Sequence, residues 1–212
     1  VAVGDGCVFA TLQAFSNATA VKHVFKIDPV TGNATNLTGT GVVPGLNSRI
    51  RTSQCKAVWG FDDGTTDLKM HYYPGTGTTI QTIDTVAKSN TFFGVGAPWI
   101  SQGRIVYGKI VAGVPQIFLY DTTLASPAPV QITSYTDATM GVSSVQTDGR
   151  HVVWFRSKAD GTLPELDFNG GVTLATGPTA VGPDLQLQLN RGQLLWKDVN
   201  GTLRYETAAS ST

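Results

Sequence analysis

The apolar positions of this chain fall into short clusters that return at a nearly constant interval. Each cluster follows a polar turn and ends on an aromatic: Cys7-Val8-Phe9 after Asp5-Gly6, then Ala57-Val58-Trp59, then Ile105-Val106-Tyr107 after Gly103-Arg104. The pattern returns as Val152-Val153-Trp154 after Gly149-Arg150-His151 and as Leu194-Leu195-Trp196 after Gly192-Gln193. The closing aromatics are 50, 48, 47 and 42 residues apart. Consecutive apolar residues in so short a run predict a strand buried on both faces. A second segment follows each cluster: Phe25-Lys26-Ile27-Asp28, Met70-His71-Tyr72-Tyr73, Phe118-Leu119-Tyr120-Asp121, Leu166-Asp167-Phe168-Asn169 and Leu203-Arg204-Tyr205-Glu206. It alternates more cleanly, as a half-covered strand does. A third appears four times, as Asn36-Leu37-Thr38, Ile80-Gln81-Thr82, Gln131-Ile132-Thr133 and Thr173-Leu174-Ala175.

Three signatures in one order and one phase describe an internal repeat of five units, near 1–43, 44–91, 92–140, 141–182 and 183–212. Each unit reads as four short strands, a to d. Strand a is Val1-Ala2-Val3, 47–51, 97–100, 143–146 or 184–189. Turn residues fall between the strands: Asp160-Gly161 and Asn200-Gly201 between b and c, Asn169-Gly170 and Thr31-Gly32 between c and d. Burial that fades from inner to outer strands is the signature of blades stacked about an axis, so the expected fold is an all-β propeller of five blades. The fifth blade is expected to be incomplete or three-stranded, since only six residues follow Glu206. The chain opens on Val1-Ala2-Val3, without Met, and is read as a processed mature form or an excised piece.

The segments resemble the TolB-like propeller family, most clearly from Gln102 to Asp121 with Gln131-Ile132-Thr133 and least in the second and fifth units. The resemblance implies fold alone, because such propellers host many functions.

Composition narrows the function classes. Fifteen basic and fifteen acidic side chains cancel, so no strong field favours nucleic acid. No apolar run reaches the roughly 18 residues of a membrane helix. The two cysteines, Cys7 and Cys55, occupy equivalent points of neighbouring units, and a disulfide between them is expected. It would close a loop of 48 residues, for on the order of 4 kcal/mol, and it implies an oxidising compartment: extracellular, cell-surface or periplasmic. The triplets at Asn17, Asn33, Asn36 and Asn200 are N-glycosylation acceptors, of a kind that chance also produces in a Thr-rich chain.

Candidate chemistry is sparse. His23, His71 and His151 share no metal-ligand spacing. Asp62, Asp63 and Asp67 offer oxygen ligands for calcium, but the same stretch serves as an ordinary b–c turn. A glycosidase needs two facing carboxylates, and the inner strands supply only Asp184 and Asp5. No catalytic residue and no cofactor is assigned. The inner strands instead carry Arg49, Arg51, Trp99, Gln146, Gln186 and Gln188, which suit binding in a central channel. The competing expectation is that these groups satisfy one another and bound water. Alternation in the fifth unit would put Leu185, Leu187 and Leu189 on the core side and the glutamines opposite. Trp59, Trp154 and Trp196 are expected in the core. The leading reading is a non-enzymatic propeller that binds a carbohydrate or a protein surface. A structural module of a larger extracellular protein comes second, and a polysaccharide-degrading enzyme third.

Overall fold

The computed structural model describes residues 1–16, 19–39, 46–47, 50–62, 66–87, 98–158, 165–168, 172–176, 187–198 and 200–207. Among them there is no helix, and the strands form five antiparallel sheets. The first holds β1 (Ala2–Gly4), β2 (Cys7–Ser16), β3 (Thr19–Ile27) and β4 (Ala34–Asn36). The second holds β5 (Leu46–Asn47) and β6 (Arg51–Ser53), both paired with β7 (Lys56–Asp62), followed by β8 (Asp67–Tyr73) and β9 (Gln81–Ala87). The third is β10 (Trp99–Ser101), β11 (Arg104–Val111), β12 (Val114–Asp121) and β13 (Val130–Gln131). The fourth is β14 (Met140–Thr147), β15 (Val152–Lys158), β16 (Glu165–Phe168) and β17 (Val172–Thr176). The fifth has three strands, β18 (Leu187–Asn190), β19 (Gln193–Lys197) and β20 (Leu203–Thr207).

The recurring polar turns explain why four of the five inner strands double back at once. Asp5-Gly6, Gln54-Cys55, Gln102-Gly103 and Arg191-Gly192 all hold positive φ at both central positions, the two-residue hairpin whose twist matches its strands. The second copy carries Cys55 where the other three carry glycine. Cys55 sits at φ 56° and is bonded to Cys7, with an S–S distance of 1.99 Å and a Cα–Cα distance of 5.2 Å. The expected disulfide is therefore present, and it ties the first sheet to the second.

Alternation along the b strands builds the core between the sheets. Ala57 and Trp59, with Tyr73 of the same sheet, face the first sheet, where they pack with Phe9 and Val24, while Val58 faces the third and packs with Ile105 and Tyr107. Val106 in turn meets Val152 and Trp154, and Val153 meets Leu194 and Trp196. One strand therefore seals two interfaces, which is why its residues are apolar in sequence. The three repeated tryptophans are buried as expected. The first sheet is set one residue out of step with the sequence signature. Cys7 pairs with Gly4 across its two-residue turn as Lys56 pairs with Ser53 across the next, so Phe9 holds the place of Val58 and not of Trp59. Its ring accordingly faces the following sheet.

The inner strands β1, β6, β10, β14 and β18 run side by side in that order. Among the described residues no apolar cluster joins the fifth sheet back to the first.

Candidate functional site

The inner strands are the place where the arc gathers polar side chains from different units. Arg51 opens β6 and Trp99 opens β10, and the Arg51 guanidinium lies over the Trp99 ring, 4.6 Å from its centre. The two are 48 residues apart, and the repeat makes them neighbours. Both are half-buried. The other side of Trp99 leans on the apolar cluster between the third and fourth sheets.

Gln146 behaves differently. It lies on β14, where the register shifts between Ser143 and Gln146 and Ser144 takes φ 51°. Its buried Nε2 donates to the Leu187 carbonyl at 2.6 Å, binding the fourth inner strand to the fifth. In the fifth sheet Leu187 and Leu189 are buried and Gln188 is exposed, the alternation expected of that strand. Gln188 stands opposite Leu195 on the outward face of the sheet. Arg49 and Gln186 lie outside the described residues, as do Leu185 and Asp63. Asp62 and Asp67 end β7 and begin β8, both half-buried. Among the described residues no group of three or more His, Cys, Asp or Glu side chains is placed to hold a metal ion.

The three histidines fall in three sheets. His23 is bonded to Thr38 Oγ1 at 3.2 Å, and His71 stacks on Phe61 at 4.7 Å. His151 stacks on Phe168 at 5.5 Å and places Nδ1 3.1 Å from the Asp148 carboxylate. That carboxylate also accepts the N–H groups of Arg150, His151 and, from the neighbouring sheet, Gly192. Burial alone would raise the Asp148 carboxyl, but these N–H groups outweigh it and hold it below its ordinary value. Neighbouring turns make further links along this edge. Asp5 accepts the Gln54 N–H, and a Cβ at Gly149 would come within 2.6 Å of the Gln102 Cβ.

Two other polar groups bridge sheets. Asp84 accepts from Tyr107 at 2.7 Å and from Lys109 at 2.8 Å. Burial, and then the bond to Asp84, pushes the Tyr107 phenol far above its ordinary value. Asp167, fully buried, accepts from the Tyr135 hydroxyl and pairs with Arg156 at 3.2 Å, while Trp154 Nε1 donates to Tyr135 at 3.0 Å. Sequence reasoning did not single out either group, since their members are far apart in the chain. The Asp148-Gly149-Arg150-His151 turn had a local signal: a carboxylate three residues before a histidine, with a glycine between.

No family model matches the sequence, and no curated protein matches it. Among solved structures, the chain is similar to TolB from Acinetobacter baumannii, with a TM-score of 0.56 and 13% identity, over 97% of this chain and 53% of that one. It is also similar to a structure from a study of two prolyl endopeptidases, with a TM-score of 0.61 and 15% identity, over 95% of this chain and 33% of that one. The chain thus spans about half the length of the first and a third of the second. At such identities the likeness is one of fold, and the fold is a β-propeller.

Proposed function

We propose that residues 1–212 form one non-enzymatic propeller domain that engages a protein surface, in an extracellular, cell-surface or periplasmic setting. The carrying observation is the half-buried Arg51–Trp99 pair on the row of inner strands. Arg and Trp are the residue types that dominate binding energy at protein interfaces, and a stacked pair is already ordered before a partner arrives. The carboxylates Asp84, Asp148 and Asp167 each serve a link between neighbouring sheets or turns, which supports binding over catalysis. The Cys7–Cys55 bridge supports an oxidising compartment.

Affinity capture from the source's extracellular fraction tests the reading, with Trp99→Ala and Arg51→Ala run beside the wild type. A protein retained by the wild type and reduced at least tenfold by both variants is expected. Retention unchanged by either substitution would move the surface elsewhere. Saturable binding on a glycan array, with no protein retained, would replace the protein partner by a carbohydrate.

A further inference from the structure

The second, third and fourth sheets each carry an apolar residue at the middle of the b-strand signature that faces the following sheet: Val58, Val106 and Val153. All three are 0% exposed. Leu195 holds the same place in the fifth sheet and is 39% exposed. Its cross-strand neighbour Tyr205 is 59% exposed, whereas Tyr72 and Phe168, the partners of Val58 and Val153, are buried. The outward face of the fifth sheet thus repeats a pattern that this chain elsewhere covers with another sheet.

The first sheet shows the complementary face. Val3 pairs with Val8, and Val8 with Ile27, across three strands, while Leu12 lies further along on the same side. Val3 is 70% exposed, and Val8 and Ile27 are half-buried. Five of the ten large apolar side chains exposed among the described residues lie on these two faces: Val3, Leu12, Leu195, Leu203 and Tyr205. Neither face presents a carboxylate among those residues, so bringing them together would desolvate no acid. The inner strands run side by side from β1 to β18, and among the described residues the first and fifth sheets end that row.

We infer that the fifth sheet of one copy packs on the first sheet of a second copy, head to tail, as one more inter-sheet interface of the propeller kind. Such a contact is heterologous, using different patches on the two partners, and each copy keeps one patch free for the next.

The heterologous geometry allows a complementation test by light scattering after size exclusion. Val3→Lys blocks the first face and Tyr205→Lys blocks the fifth. Both sites are exposed, so each variant should keep the wild-type circular dichroism and melting profile. The wild type is expected to gain mass as concentration rises. Each variant alone should stay at the monomer mass, because every copy lacks one half of the contact. An equimolar mixture should form a dimer of twice the monomer mass and nothing larger, since only one intact pair of faces remains. A wild type that stays monomeric at every concentration overturns the inference, and closure of the fifth sheet on the first within one copy would give that result. Association of either variant alone, or a mixture that stays monomeric, also overturns it.

Discussion

Single residues show how this chain uses its few charges. Asp148 is buried at the turn between β14 and β15 and serves as the acceptor for three N–H groups, one of them Gly192 of the next sheet at 2.5 Å. Its lowered native pKa sets the sign of a pH effect. The carboxylate adds stability above its unfolded value of about 3.9 and loses that contribution as pH falls through the lower native value. Asp148→Asn should therefore destabilise the protein near neutrality by roughly 1–3 kcal/mol, because an amide nitrogen would oppose a donor. The difference between the two proteins should shrink below about pH 4, as the wild-type carboxylate takes up its proton. Urea unfolding at neutral pH and in acid measures both. Equal stability at neutral pH would show that the three N–H groups find other acceptors. At this scale the sequence was a partial guide. It marked Trp59, Trp154 and Trp196 as core, and they are. It did not find Tyr135 with Asp167 or Tyr107 with Asp84, because such partners meet only after distant strands have paired.

Hairpins carried most of what could be read ahead of the structure. Two-residue polar turns and consecutive apolar pairs located the a–b hairpins. The split inner strand of the second sheet, β5 with β6, and the register shift in β14 were not foreseen. Neither leaves a mark in hydrophobic pattern, since both are backbone irregularities. The turn Gln54-Cys55 gives a test at the level of the hairpin. Cys55 holds a left-handed conformation that glycine adopts without strain, and it holds it while bonded to Cys7. Cys7→Ala removes the bridge and leaves the strained residue in place. Cys55→Gly removes the bridge and the strain together. Loss of the bridge should cost on the order of 4 kcal/mol in either case. Cys55→Gly should nevertheless be the more stable of the two by about 1 kcal/mol. Thermal unfolding of both variants under reducing conditions would show the order, and a less stable Cys55→Gly would mean that backbone strain at the turn is negligible.

Over the whole molecule, one rule organises the packing: the b strands of the second, third and fourth sheets send alternate side chains to the sheet before and the sheet after. The repeat in the sequence predicted most of the buried b-strand residues, but not the exposure of Leu195 or the direction of Phe9, since a shift of one residue exchanges the two faces of a strand. The candidate binding residues were read less completely. Arg51 and Trp99 meet as repeat neighbours, Gln146 is spent on a backbone carbonyl, and Gln188 lies on the uncovered face of the fifth sheet. Side-chain nuclear Overhauser contacts of the tryptophans test the packing rule most directly. Trp59 should contact Phe9 and Val24, Trp154 should contact Val106 and Ile117, and Trp196 should contact Val153 and Phe155. Each indole would then report the sheet preceding its own. Contacts from Trp59 to Ile105 or Tyr107, or from Trp154 to Leu194, would place these rings on the opposite faces and contradict the sheet-to-sheet arrangement.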